Sequence, residues 1–283
     1  MHAFREIPCE SITRTIRELF IRANTELPRD VLAAVESAAH AEKDALARYS
    51  LDMIVENAAI ARKEGIPLCQ DTGLAVVFVE LGQDVHVVGG NLNEAIQRGV
   101  KEAYHHGHLR KSVCDPLSRT NTRDNTPAII HVDIVGGDRL RLIAMPKGGG
   151  SENMSASTML VPAEGREGIK KFVVDRVAHA GPNPCPPVIV GIGIGGSLDQ
   201  SAVLAKKALL RPLGQPHPDD ERVAALEREI LEEINALGIG PHGYGGDTTA
   251  LAVHVEMMPC HIASLPVTVN IQCHVARHAE AVL

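Results

Sequence analysis

The sequence contains no tryptophan, and aromatic residues make up only 2% of its 283 residues. A core with so few aromatic rings is built from aliphatic side chains, which favours a helix-and-sheet protein over an aromatic-rich β-sandwich. Long apolar runs are also lacking, because proline and glycine interrupt the longest uncharged stretches. The N-terminus has no apolar segment followed by a cleavage site. We therefore expect a soluble, cytoplasmic protein.

An excess of basic residues is lacking too. Lys and Arg number 28 against 35 Asp and Glu, which gives a formal net charge of −7. No basic stretch with interleaved aromatic residues is present, so we expect neither nucleic acid nor a membrane as a partner. With 45% hydrophobic and 22% charged residues, the composition is that of an ordinary globular protein.

From Ser11 to about Glu64 the sequence has a helical pattern. Ile12, Ile16, Leu19 and Phe20 recur at i, i+4, i+7 and i+8, and an alanine-rich stretch continues the pattern from residue 31 to residue 61. No strand pattern interrupts it. The weakest point between this region and the rest is expected near Gly65.

Strand and helix patterns follow one another beyond residue 65. We predict strands at 74–81, 188–194, 250–257 and 266–271, and helices at 91–104, 167–180, 199–210 and 219–237. Runs at 128–135 and 139–145, joined by Gly136-Gly137-Asp138, predict a β-hairpin. The predicted fold class is α/β, with a helical N-terminal region packed on a mixed β-sheet with flanking helices.

Three of the six cysteines, Cys69, Cys185 and Cys273, lie at breaks between apolar runs. Three thiolates from three loops can hold a metal cluster and leave one metal corner open, as a Lewis-acid catalyst requires. In a reducing cytoplasm such cysteines are better interpreted as thiols or metal ligands than as disulfides. Their spacing matches no short metal-finger motif, so the surrounding residues must carry the argument.

The other cysteines differ in context. Cys9 and Cys114 have no neighbours that suggest a ligand role, whereas Cys260, beside His261, stays open as a competing ligand. Three histidines between residues 105 and 108 lie at the polar end of a predicted helix, which favours a solvated surface cluster over a metal site.

Two glycine-rich segments suggest binding sites. Gly191-Ile192-Gly193-Ile194-Gly195-Gly196 fits G-x-G-x-x-G, but a proline-rich stretch and another helix follow where a nucleotide fold needs a second strand. Close strand–helix packing, or a helix N-terminus beside an anionic cofactor, explains it better. Lys147-Gly148-Gly149-Gly150-Ser151 lacks P-loop spacing, yet it can form a backbone nest for a carboxylate or a flexible turn.

Four segments, taken together and in this order, resemble the iron–sulfur-dependent class I fumarate hydratases. They are Cys69-Gln70-Asp71-Thr72-Gly73, Lys147-Gly148-Gly149-Gly150-Ser151, Asn183-Pro184-Cys185-Pro186-Pro187 followed by Gly191-Ile192-Gly193, and the stretch from His261 to Cys273. The chain looks most like the α subunit of the two-subunit form, which is similar to the tartrate dehydratase α subunit. The resemblance implies a single domain over residues 1–283, with a helical subregion 1–65.

The resemblance implies that Cys69, Cys185 and Cys273 ligate a [4Fe–4S] cluster that acts as a Lewis acid on malate. It also assigns substrate binding and catalysis to matching positions. Substrate binding is assigned to Gln70, Asp71, Arg110 and the amide of Gly149, and catalysis to Asp71 and His261.

In that family the catalytic base and further carboxylate-binding residues belong to the other half of the enzyme, and no segment here resembles it. We therefore expect a β subunit to supply them, an α2β2 heterotetramer, and an inactive isolated chain. The chain ends soon after Cys273, which resembles the fumarase α chains more than the tartrate form and favours fumarate and malate as substrates. Tartrate dehydratase and a non-catalytic cluster-binding component are the alternatives.

Overall fold

The computed structural model describes residues 4–283. They form two compact units: the first comprises the chain to Pro28, Ala58–Gly149 and Arg277–Leu283, and the second comprises Arg29–Asn57 and Gly150–Ala276. Each unit is assembled from separated segments, so no single cut of the chain divides them. The expected single domain and helical subregion begin three residues before the described residues, and the single-domain assignment stays a prediction.

The helices and strands have the following bounds in chain order: β1 Arg5–Pro8, α1 Cys9–Thr25, α2 Arg29–Ala41, α3 Ala45–Glu64, β2 Leu74–Gly82, β3 Val85–Val88, α4 Leu92–His106, β4 Ile129–Val135, β5 Leu140–Lys147, α5 Gly149–Asn153, β6 Ala156–Leu160, α6 Gly165–Ala180, β7 Val188–Gly195, α7 Leu198–Ala208, α8 Glu221–Asn235, β8 Ala250–Met258, β9 Leu265–Gln272 and β10 Ala279–Val282. Single 3-10 turns occur at Pro162–Glu164 and Pro241–Gly243.

The α/β fold with a helical N-terminal region is confirmed. The four residues that set the helical period in α1 are all buried. In α4, the Asn91 side chain caps the helix by accepting from the amides of Asn93 at 2.9 Å and Glu94 at 3.3 Å. Local signals of period and capping therefore place these helices correctly. Among residues 4–283, no helix is both long enough and apolar enough to cross a bilayer.

The sheet of the first unit corrects the predicted hairpin. Its strand order is β10-β5-β2-β4, so β2 lies between β4 and β5, parallel to one and antiparallel to the other. The four residues that join β4 to β5 do not form a hairpin turn. They cross the end of β2, where the Gly82 amide donates to the Arg139 carbonyl at 2.9 Å. A Cβ on Gly82 would lie 2.5 Å from the Gly137 carbonyl oxygen, so glycine is required there. The continuous apolar run of β2 takes the central place because both its faces are buried.

The sheet of the second unit has the order β6-β9-β7-β8, and every residue of β7 is buried. The first two glycines of the G-x-G-x-x-G segment, Gly191 and Gly193, lie in β7, against α7. A Cβ on Gly193 would lie 1.9 Å from the Ser201 carbonyl oxygen, and one on Gly191 would lie 2.2 Å from that of Ala205. Close strand–helix packing therefore accounts for both glycines.

Candidate functional site

In the first unit, Cys69 lies in a turn between α3 and β2. The turn is tied to α1 because the amide of Leu68 donates to the Asn24 carbonyl at 2.8 Å. The Cys69 thiol donates to Oε1 of Gln70 at 3.1 Å, and the amide of Asp71 donates to Cys69 Sγ at 3.4 Å. Hydrogen bonds to the ligating sulfurs are among the contacts that tune iron–sulfur clusters.

The Asp71 carboxylate is held by two backbone amides. Its Oδ2 accepts from the amide of Gly149 at 2.7 Å, and its Oδ1 accepts from that of Gly73 at 3.0 Å. The resemblance implies a substrate contact for the Gly149 amide, which stays a prediction; in the structure this amide donates to the protein's own Asp71 carboxylate. The structure thus brings Cys69, Gln70, Asp71 and Gly149 together.

Buried side chains fix the far side of this turn. The Tyr104 hydroxyl lies 2.8 Å from the carbonyl oxygens of both Thr72 and Gly73, and Asn125 Nδ2 donates to the Gly73 carbonyl at 3.2 Å. Burial raises the pKa of Tyr104 far above its ordinary value, although the positive charge of Arg277 opposes the shift. The hydroxyl therefore remains a neutral hydrogen-bond donor at physiological pH.

Arg110 is fastened to the same turn through its backbone. The Thr72 hydroxyl donates to the Arg110 carbonyl at 3.0 Å, and the preceding residue, Leu109, is buried in the core. The Arg110 side chain is exposed. Within residues 4–283 no carboxylate forms an ion pair with its guanidinium. A cation held by its backbone and not neutralised by a carboxylate suits an anionic ligand.

Sequence reasoning missed Arg277. Its side chain is only 3% exposed, and its Nη2 donates to the Asp71 carbonyl. Nε and Nη1 are buried and have no hydrogen-bond partner among the described residues. The contact depends on β10, which returns the chain to β5 just after Arg277. No local signal in the sequence predicts that return.

In the second unit, Cys185 and Cys273 lie at the same end of the sheet. Cys185 precedes β7, Cys273 follows β9, and these strands pair in antiparallel fashion with Ile189 opposite Gln272. Both the amide and the ring Nδ1 of His274 donate to the Cys185 carbonyl, at 3.3 and 2.9 Å. Two of the three predicted ligands therefore lie in adjoining loops.

The backbone at Cys185 is strained, because its φ of 56° is unusual for a residue with a side chain. Its side chain is exposed. Two histidines that sequence reasoning missed pack beside this loop: the rings of His242 and His274 lie 4.9 Å apart, and the amide of His242 donates to the Pro186 carbonyl at 2.7 Å. Burial lowers the pKa of His242. The loop is thus held by hydrogen bonds to its backbone, which leave the Cys185 side chain exposed.

The structure separates Cys260 and His261 from Cys273. Both lie in the loop between β8 and β9, so the eight residues of β9, or roughly 25 Å of strand, lie between them and Cys273. They line an open groove of about 470 Å³ together with apolar residues such as Leu226. Cys260 therefore does not compete for a place beside Cys185 and Cys273, and the catalytic assignment of His261 stays a prediction.

The donor set of the three thiols fits an iron–sulfur cluster. Cys69 accepts an N–H bond at its sulfur, and all three cysteines are partly or fully exposed rather than enclosed in the core. None of the cysteines forms a disulfide. Among residues 4–283, no trio of His, Cys, Asp and Glu side chains is placed to hold a metal ion. Ligation of one cluster by Cys69, Cys185 and Cys273 therefore stays a prediction.

Comparisons with known proteins agree with the sequence motifs. A family model described as fumarate hydratase (Fumerase) matches residues 13–282. The putative L(+)-tartrate dehydratase subunit alpha of Methanocaldococcus jannaschii is 47% identical over 274 residues, covering 95% of this chain and 96% of the relative. The L(+)-tartrate dehydratase subunit alpha of Escherichia coli is 32% identical over 266 residues, covering 93% of this chain and 87% of the relative.

Proposed function

Because the chain belongs to the fumarate hydratase (Fumerase) family, we propose that it is the α subunit of an iron–sulfur hydro-lyase that interconverts fumarate and malate. The observation that carries the proposal is the turn at Cys69. There a thiol, a side-chain amide and a firmly held carboxylate meet within three consecutive residues, Cys69, Gln70 and Asp71. A dehydration that needs an iron ligand beside polar substrate contacts is consistent with that grouping.

We assign Cys69, Cys185 and Cys273 as the ligands of a [4Fe–4S] cluster. When bound, the cluster would supply a Lewis-acid iron for the substrate hydroxyl. Cysteine must lose its proton to ligate metal, and loss of the Cys69 proton abolishes its hydrogen bond to Gln70 Oε1. The Gln70 amide then becomes available to substrate, while the amide of Asp71 continues to donate to the sulfur.

Substrate binding requires cations, because the substrate is a dicarboxylate. We assign one carboxylate to Arg110, whose guanidinium is exposed while its backbone is fastened to Thr72. The bidentate N–H groups of arginine match a carboxylate. Asp71 orients the turn through Gly149 and Gly73, so we assign it a positioning role in addition to its predicted catalytic role and substrate contact.

A β subunit completes the site in this proposal. The relatives are named alpha subunits, and dehydration needs a base near the carbon that loses its proton. Arg110 provides one cationic anchor, and we propose that the partner provides the base and the other anchors in an α2β2 assembly. The isolated chain should therefore bind iron but should not turn over substrate.

A second candidate function is L(+)-tartrate dehydration, which the names of the relatives favour. The test is to express the chain with its β partner, reconstitute the complex anaerobically with iron and sulfide, and measure kcat/KM for fumarate, malate and L(+)-tartrate. We expect fumarate and malate to be preferred. A higher kcat/KM for L(+)-tartrate would show that tartrate, not malate, is the substrate, while the assignment as a hydro-lyase would stand. An iron-loaded complex inactive on all three would indicate the non-catalytic alternative.

A further inference from the structure

Arg277 is a buried cation without a carboxylate partner. Its side chain is 3% exposed, and its only hydrogen bond among the described residues is the one from Nη2 to the Asp71 carbonyl. Nε and Nη1 have no partner there. A buried charge is costly unless it is paired and hydrogen-bonded. Some other negative charge must therefore balance the guanidinium in the working protein.

The neighbouring groups of the first unit do not supply that charge. The Asp71 carboxylate is bound by the amides of Gly149 and Gly73 and forms no ion pair with Arg277. The Tyr104 hydroxyl stays protonated, because burial raises its pKa, and it is engaged by two backbone carbonyls. An anion that binds at the Cys69 turn would supply the missing charge.

We propose that Arg277 is a positioning residue that balances the negative charge of the thiolate-bound cluster at Cys69 and holds the turn that ligates it. This inference rests on the proposed function. Arg277 fixes the Asp71 carbonyl, and the amide of the same residue, Asp71, donates to Cys69 Sγ. The guanidinium therefore acts on the sulfur through one residue of backbone and through its field in a buried setting, where screening by solvent is weak.

A substrate carboxylate is the other anion with suitable chemistry. The burial of Nε and Nη1 favours the cluster, because the effect of Arg277 on the cluster acts through Asp71 and through its field, whereas a substrate carboxylate would need direct contact with these atoms. The two candidate anions, the cluster and a substrate carboxylate, predict different experimental results. A cluster partner predicts changes in iron binding and reduction potential, and a substrate partner predicts a raised KM with iron binding unchanged.

The test compares Arg277→Gln, which removes the charge, with Arg277→Lys, which keeps it. The matched control is Arg22→Gln, because Arg22 also donates to a backbone carbonyl in the first unit, that of Glu280, but is exposed. Each variant is expressed with the β partner and reconstituted anaerobically. The readouts are iron and sulfide per chain, iron retained after a chelator challenge, the reduction potential of the cluster, and kcat and KM separately.

For Arg277→Gln we expect iron retention to fall about tenfold, as for other residues that support metal ligands. The reduction potential should also fall, because a nearby positive charge stabilises the more negative, reduced cluster. Arg277→Lys should keep most of the wild-type iron retention and reduction potential, and Arg22→Gln should match the wild type in both. Iron retention and potential unchanged in Arg277→Gln would overturn the inference, as would a raised KM alone.

If Arg277→Gln does not fold, the measurements on Arg277→Lys test the inference. Loss of iron from a folded Arg277→Lys variant overturns the inference, and a reduction potential equal to that of the wild type supports it. The result is separable from the proposed function. A wild-type complex that binds iron but does not hydrate fumarate or dehydrate tartrate defeats the proposed function, yet leaves the effect of Arg277 on iron and potential measurable.

Discussion

The two regions that carry the predicted ligands are held in different ways. The turn at Cys69 is fixed at its main chain and at the Asp71 side chain, with partners in Tyr104, Gly149 and Arg277. The loop at Cys185 in the second unit is held through two backbone carbonyls, that of Cys185, which accepts two bonds from His274, and that of Pro186, which accepts from the amide of His242. The first region thus directs a backbone N–H group at its sulfur, whereas the hydrogen bonds described for the second region act on the backbone beside an exposed thiol.

The largest expected effect comes from the thiols. Replacing Cys69 or Cys185 by serine should abolish iron binding and activity, because a hydroxyl is a poor substitute for a thiolate ligand. Iron content and malate dehydration of the reconstituted complex measure this. Cys114→Ser is the control, since Cys114 lies in neither region. A Cys69→Ser complex that keeps its iron while Cys185→Ser loses it would show that only the second region holds metal.

The next effect tests how strongly the first region is fixed. Asp71→Asn leaves one carboxamide oxygen for the two amides of Gly149 and Gly73, so one N–H bond is lost. We expect kcat/KM to fall about 10- to 100-fold and the free energy of unfolding to fall by about 1–3 kcal/mol.

The matched control for this variant is Asp115→Asn. Asp115 also accepts two backbone N–H bonds, from Leu117 and Ser118, but in an exposed loop. Both its activity and its stability should change little. Equal effects of the two substitutions would mean that the Asp71 turn carries no special constraint.

Acid should weaken the second unit before the first. His254 is 2% exposed, and burial, with the nearby charge of Arg211, lowers its pKa to about 4. Because the unfolded chain binds this proton near pH 6.5 and the folded chain does not, stability falls as the pH drops from about 6.5 to 4, by up to roughly 3 kcal/mol.

His254→Gln should flatten this decline, whereas His40→Gln, at an exposed histidine of the same unit, should not. Thermal unfolding of the apo chain at pH 7 and pH 5, with hydrogen exchange to locate the opening, provides the measurement. Earlier exchange in the first unit at pH 5 would reverse the comparison.

The smallest effect is expected at Cys260. The length of β9 separates it from Cys273, so Cys260→Ser should keep the iron content, the kcat and the KM of the wild type. Loss of iron in this variant would show that the sheet end near Cys260, rather than the end near Cys185, binds the metal.

Sequence patterns predicted those parts of the fold that depend on neighbours along the chain. The period of α1 and the Asn91 cap of α4 are local, and both were predicted correctly. The hairpin of β4 and β5 was wrong because β2, from an earlier part of the chain, inserts between them. Turn signals describe only the connection and do not reveal a third strand.

In the candidate site, too, the features set by neighbouring residues were predicted and those set by distant segments were not. The motif around Cys69 and the glycines near Gly149 were recognisable, and the hydrogen bond from Gly149 to Asp71 joins them. Arg277 and His274 were missed because their contacts, to Asp71 and to Cys185, join residues far apart in the sequence. A single arginine or histidine carries no local pattern that predicts such a contact. Residues whose function lies in holding a backbone atom leave little pattern in the sequence.

The return of the chain at β10 has a consequence for synthesis on the ribosome. β10 and Arg277 are translated after every other described segment, and both belong to the first unit. Until they emerge, β5 has an unpaired edge and the Asp71 carbonyl lacks its guanidinium. The segments of the second unit end at residue 276, so that unit can finish first although it starts later. The guanidinium that holds the Asp71 carbonyl therefore reaches the Cys69 turn only after the second unit has been synthesised.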